Sequence, residues 1–277
     1  MKSNVLKKIE IKGLFNKHSF NWELNEDVNI LVGINGSGKT TIIKSIDALL
    51  SQNYSYLNNK NTKRNIGIFA TFENGEEICY DNTIKKSPNE KINHALITTF
   101  DVPLKDKNKL RQSESPLDKE LRDLWYILGT EQPSFFNYRL RATNFPEEAN
   151  KINNRISHFF NFINFLFSET NKQITINYSN NEIVFKKDKS MIPLTSLSSG
   201  EKQIILILLT VFLMDEKPYI LLMDEPEISL HILWQQQLID IIRKLNPNCQ
   251  IIIATHSPSI FGEGWGDKIF FIEDLID

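Results

Sequence analysis

The chain has 277 residues, 41% hydrophobic and 24% charged, with a formal net charge of −2; that gives room for one large or two small domains with a real core and excludes a strongly basic nucleic-acid binder, leaving only local basic patches. Two cysteines, Cys79 and Cys249, have no partners at metal-ligand spacing, which argues against a disulfide framework or a zinc site and suits a reducing, cytoplasmic setting. The N-terminal "MKSNVLKKIEIKGLF" has no apolar signal core, and the longest apolar run, 204–214, falls far short of the ~20 residues of a membrane helix.

Residues 9–11 and 20–24 read as strands turning through "NKHS", and 28–32 as a short apolar strand. "GINGSGKT" follows. Residues 41–50 then place Ile42, Ile43, Ile46, Leu49 and Leu50 on one helical face. Segments 66–72 and 77–80 read as a hairpin across "ENGE", and 96–100 as a further strand. Residues 105–150 are charged and irregular, with short helices around 117–128. A helix over 147–168 carries the stripe Ile152, Ile156, Phe159, Phe160, Ile163, Leu166 and Phe167, which reads as core with a docking role as the alternative. A second hairpin joins 174–178 to 182–185 across "SNN". From Thr195 onward come a loop, a buried helix, a strand at 219–223, a helix from about Leu230, and strands at 250–254 and 268–272. Helices alternating with continuous apolar strands predict a parallel sheet covered on both faces.

"GINGSGKT" fits G-x-x-x-x-G-K-[ST], with Gly33, Gly38, Lys39 and Thr40 at the defining positions. Glycines let the backbone curl so that N–H groups point at phosphate oxygens, and the following helix adds its positive end. Lys39 is placed to reach the β- and γ-phosphates, and the Thr40 hydroxyl to bind Mg²⁺. The strand–loop–helix context favours this over a turn that binds nothing. "YILLMDEPE" brings Asp224 and Glu225 out at a strand's C-terminal end, where α/β sheets bind ligands. Asp224 can hold Mg²⁺ there, and Glu225 can polarise an attacking water. "IIIATHSP" repeats the layout with His256 at its tip, placed to sense the γ-phosphate or the water.

In this order the motifs resemble the ATP-binding-cassette superfamily of ATPases. "GINGSGKTT" is similar to its Walker A loop (Asn35, Gly36, Ser37, Gly38, Lys39, Thr40, Thr41), "ILLMDE" to Walker B, "ATHSP" to the histidine switch and "LSSGE" to the signature. The resemblance implies an α/β P-loop NTPase head. Its core sheet is mostly parallel, with an antiparallel β subdomain and an inserted helical lobe. It also implies ATP hydrolysis with Mg²⁺ in a head-to-tail homodimer, where Ser198, Ser199, Gly200 and Glu201 of one copy complete the γ-phosphate site of the other. Taken alone, "LSSGE" also reads as an ordinary Ser/Gly helix cap with Glu201 in the first turn. "EPEISLH" places His231 where transporter motors carry aspartate, and resembles the branch containing RecF, SMC-like heads and overcoming-lysogenization-defect (OLD) ATPases.

The resemblance covers about residues 5–60 and 190–275, and it implies a single domain with a nucleotide-binding core at 1–60 and 190–277 and an inserted β-hairpin and helical lobe at about 60–190. Gln112 is the candidate Q-loop residue. The chain stops soon after its last strand, so any effector is expected to be a separate polypeptide. These expectations describe a cytoplasmic, membrane-free ATPase. Its foremost role would be the nucleotide-dependent sensor subunit of a bacterial anti-phage complex with a nuclease or toxin effector. The alternative is a DNA repair or end-processing ATPase; a transporter motor fits least. Basic clusters at 58–65, 105–112, 137–142 and 186–189 read singly as solvated loops, and could hold a DNA backbone if they converge.

Overall fold

The computed structural model describes residues 5–14, 18–58, 66–81, 83–98, 115–126, 133–262 and 264–277. In chain order they form β1 (Leu6–Leu14), β2 (His18–Glu23), β3 (Val28–Val32), α1 (Lys39–Leu50), β4 (Gly67–Phe72), β5 (Glu77–Tyr80), β6 (Lys85–Lys86) and β7 (His94–Thr98). Next come α2 (Pro116–Tyr126), α3 (Phe135–Asn144), α4 (Ala149–Leu166), β8 (Gln173–Asn177), β9 (Glu182–Lys187), β10 (Ser190–Pro193) and α5 (Ser199–Leu213). The chain ends with β11 (Tyr219–Asp224), α6 (Ile232–Leu245), β12 (Cys249–Thr255), α7 (Pro258–Phe261), β13 (Ile269–Phe271) and α8 (Ile272–Leu275). It divides into two compact units: Met1–Thr99 with Glu216–Ile228 and Pro247–Asp277, and Phe100–Asp215 with Ser229–Asn246.

The first unit holds two sheets with α1 between them. One is antiparallel, ordered β2-β1-β4-β5-β6; the other runs β13-β3-β12-β11-β7 with every pairing parallel. Ile42, Ile43, Ile46, Leu49 and Leu50 of α1 share one core cluster with Leu6, Ile9, Ile11, Phe20 and Trp22 of the first sheet and Leu31, Leu222, Ile252 and Ala254 of the second. Successive strand side chains point to opposite faces, so Leu221, Met223, Ile251 and Ile253 lie on the other face, and they too are fully buried. Burial on both faces is why β11 and β12 read as unbroken apolar runs. Gln250 ties the two sheets together. Its Oε1 accepts from the Leu6 N–H at 2.8 Å, and its Nε2 donates to the Leu6 and Asn25 carbonyls, each at 2.8 Å.

Register sets the site. Asp224 pairs with Ala254 and Thr255 with Val32. The C-terminal ends of β3, β11 and β12 therefore lie side by side, where α/β sheets place ligands.

The second unit packs α2–α6 with a three-stranded antiparallel sheet, β10-β9-β8. Phe159 stacks on Phe212 with centroids 4.6 Å apart, and Trp125 meets Phe135 edge-on at 4.7 Å. Ile152, Phe159, Ile163, Leu166 and Phe167 are buried, so the α4 stripe is core. Helix α5 is buried all round, from Gly200 to Leu213, apart from Lys202 and Thr210, as expected of a helix without a polar face. At its end Arg155 donates to Asp215 at 2.7 Å and to the Phe212 carbonyl at 2.8 Å. Arg141 bridges Asp215 at 3.0 Å and Glu148 at 2.8 Å.

Two elements correct the sequence reading. Residues 135–144, expected to be irregular, form α3. Ser134 caps it by accepting from the Asn137 N–H. Only Phe135 and Tyr138 of α3 are buried, too few to make a visible stripe. Residues 190–193 form β10, paired in register with β9. The basic cluster 137–142 lies on α3, and its Arg141 is engaged in the ion pairs just described. Gln112, the cluster 105–112 and residues 59–65 of the cluster 58–65 lie outside the described residues.

Candidate functional site

In the first unit, β3 ends at Val32 and the chain curls through the glycine-rich loop into α1. Gly36 and Gly38 take φ of 83° and 108°, the left-handed region that glycine enters without steric penalty. A Cβ at Gly33 would press on the Ile272 side chain and on the Ser37 hydroxyl, so any larger residue at the loop's first position would have to displace them. Asn35 and Gly36 stand exposed at the tip, and Thr41 lies half-buried in the first turn. Gly38 caps α1 without a side-chain hydrogen bond, and no acid occupies the first turn. The helix thus presents its N-terminal N–H donors with no carboxylate of its own against them. The Ser37 hydroxyl is buried and has no hydrogen-bond partner, a polar atom of the kind a bound ligand satisfies.

Lys39 is 3% exposed. Its ammonium donates to the Gly33 and Ile34 carbonyls at 2.8 and 3.1 Å, so the side chain folds over the loop. Glu225 is 3.9 Å away. The Thr40 hydroxyl donates to Asp224 Oδ1 at 3.1 Å. Burial pushes the Asp224 carboxyl above the usual carboxylate range, with the nearby Glu225 adding to the rise, while the Thr40 hydroxyl and the lysines Lys44 and Lys39 draw it down. Thr40 and Asp224 together offer two hard oxygen donors of the kind Mg²⁺ takes. The orphaned Ser37 hydroxyl, the glycine cradle and this oxygen pair fit a Mg²⁺-bound nucleotide triphosphate.

Glu225 leaves β11 at φ 50°, a conformation non-glycine residues adopt at some strain, often at functional positions. Its N–H is tied to the Ala254 carbonyl at 2.8 Å. His256 lies at the end of β12, 45% exposed, with Nδ1 3.6 Å from Glu225 and 3.3 Å from Glu227. The structure thus brings Lys39, Thr40, Asp224, Glu225 and His256 together. Glu227, which sequence reasoning passed over, joins them. It is 5% exposed, and its Oε1 accepts from the Thr255 hydroxyl at 2.6 Å and the His256 N–H at 3.1 Å. The sequence signal was its place in "DEPE", two residues past Glu225.

Ser198–Glu201 belong to the second unit. Ser198 and Ser199 are exposed and Gly200 is buried. Ser198 and Glu201 form a full capping box: the Ser198 N–H donates to Glu201 Oε2 at 2.9 Å, and Glu201 N–H to Ser198 Oγ at 3.3 Å. Lys172 reaches Glu201 Oε1 at 2.6 Å. Burial pushes the Glu201 carboxyl up, but Lys172 and the Ser198 bonds outweigh it and hold the group below its ordinary range. Gly200 is required by close packing, since a Cβ there would run into the Ser229 carbonyl.

Among the described residues, no helix is long and apolar enough to cross a membrane. A family model described as "AAA domain, putative AbiEii toxin, Type IV TA system" matches residues 104–262, more than half of the chain, including Asp224, Glu225, His256 and the 198–201 segment. The chain is 24% identical to the Septu protein PtuA of Bacillus thuringiensis, covering 92% of this chain and 72% of that protein. It is 33% identical to the "Retron Vc95 probable ATPase" of Vibrio cholerae serotype O1 biovar El Tor over 102 residues, 32% of this chain and 20% of that protein. An SMC head crystallised with the C-terminal winged-helix domain of ScpA superposes with a TM-score of 0.51 at 15% identity, covering 93% of this chain and 91% of that one, which shows a shared fold. The chain belongs to this AAA-domain family, and it is an ATP-hydrolysing enzyme built on the ATP-binding-cassette head fold.

Proposed function

We propose that this ATPase is the nucleotide-dependent regulatory subunit of a bacterial anti-phage defence complex, holding or releasing a separate nuclease or toxin according to its nucleotide state. The observation that carries this reading is the extent of the likeness to the Septu protein, which runs over 92% of this chain. The retron ATPase supports it over a shorter stretch.

In this reading the loop N–H groups and Lys39 bind the triphosphate. Thr40 and Asp224 hold Mg²⁺, which when bound offsets phosphate charge. Glu225 orients and polarises the attacking water for in-line displacement, and His256 senses the γ-phosphate or that water. Two copies associate head to tail, and Ser198 and Gly200 of each face the nucleotide gripped by the other.

Glu225→Gln tests the chemistry. Turnover is expected to fall ~10²–10⁴-fold while ATP binding persists, and the dimer becomes trapped on size-exclusion chromatography with ATP. Undiminished turnover would remove Glu225 from the reaction, and a monomer under those conditions would remove the dimer. Purification with its untagged genomic neighbours tests the role. A nuclease or toxin whose retention changes with nucleotide supports the regulatory reading. ATPase activity stimulated by DNA with no partner present would replace it with end processing.

A further inference from the structure

Glu227 is a buried carboxylate that none of the motifs assigns. It sits three residues beyond the end of β11, and three groups from the end of β12 converge on one of its oxygens. The Thr255 hydroxyl lies at 2.6 Å, the His256 backbone N–H at 3.1 Å and the His256 ring Nδ1 at 3.3 Å. Pinning the loop requires only the first two; the third reaches the ring of the proposed sensor. That same Nδ1 lies 3.6 Å from Glu225, so the imidazole stands between two carboxylates, one buried and one at the reacting end of the site.

We propose that Glu227 is a positioning residue for His256. It accepts a hydrogen bond from Nδ1–H, fixing the tautomer whose Nε2 lone pair can accept from the attacking water. This inference rests on the roles given above to Glu225 and His256. A neutral imidazole in water prefers the proton on Nε2. A carboxylate held at Nδ1 reverses that preference and fixes the ring's orientation, as partners behind functional histidines do. Thr255 and the His256 N–H in turn hold the Glu227 carboxylate, so the sensor, its partner and the end of β12 form one connected set.

The test uses the full chain labelled with ¹⁵N-histidine in mildly alkaline buffer. His256 is expected as the Nδ1–H tautomer in the wild type and as the Nε2–H tautomer in Glu227→Ala. Steady-state kinetics form the second arm. Glu227→Ala is expected to lower kcat ~10–100-fold with unchanged affinity for a fluorescent ATP analogue, and to add nothing in a His256→Ala background, since residues acting through one another are not additive. A wild-type Nε2–H tautomer overturns the proposal even if Glu227→Ala does not fold. So do losses that multiply in the double variant. If His256→Ala leaves turnover unchanged, the sensor role fails, and the tautomer spectra still decide whether Glu227 holds the ring.

Discussion

Helices α1 and α5 begin in opposite ways. At α1, Gly38 starts the helix in a left-handed conformation with no side-chain cap and no acid in the first turn. At α5, Ser198 and Glu201 close a complete capping box, and Lys172 closes on Glu201 in turn. A side-chain cap stabilises a helix by ~0.5–2 kcal/mol, and α1 forgoes that contribution. The contrast separates two uses of one physical feature. The first end leaves its donors without a side-chain cap, as the proposed binding of an outside anion requires. The second satisfies its donors with its own carboxylate, leaving the exposed Ser198 and the N–H groups around it as a finished surface.

The largest expected effect lies at the open end. Lys39→Ala removes the ammonium folded over the loop and should weaken ATP binding by ~2–5 kcal/mol, the range for truncating one partner of a buried charge pair. Isothermal calorimetry with undiminished affinity would erase the distinction between the two ends. Next is Gly200→Ala. Its Cβ meets backbone rather than a movable side chain, so overpacking should destabilise the protein by ~1–3 kcal/mol. An unchanged thermal midpoint would show that the closed end is looser than described. Ser198→Ala should cost about 1 kcal/mol, since the Glu201 bond to the Ser198 N–H survives it.

The smallest effect is pH-dependent. Glu201 titrates below its ordinary range when folded. Its contribution is therefore complete above the unfolded value of ~4.3 and is lost as pH falls through the lower folded value. Asp215 is also held low, with burial raising it and Arg141 and Arg155 outweighing that, so it shares this window. The difference in urea midpoint between wild type and Glu201→Gln, followed downward from about pH 5, isolates Glu201. Parallel curves would mean that the Lys172–Glu201 closure contributes nothing.

The open end was legible in sequence because its signals are local. The glycine spacing, the Lys39–Thr40 pair and the α1 stripe lie within a few residues of one another, and the helix began two residues before its predicted start. The strands that end at Asp224 and just before His256 were legible because burial on both faces leaves continuous apolar runs. Contacts between distant segments were not. Glu227 meets Thr255 across 28 residues, and Lys172 meets Glu201 across 29; neither pairing follows any periodicity. Helix α3 escaped because charged Arg139 and Arg141 interrupt a face that buries only Phe135 and Tyr138.

Helix α1 is gripped along its length by side chains from two sheets, and the interior of a protein is as stiff as an organic crystal. On the function proposed above, the phosphate loop is therefore mounted on a firmly packed support: binding a triphosphate there would lose little to ordering the receptor, and movement following hydrolysis is expected in less tightly packed parts of the chain.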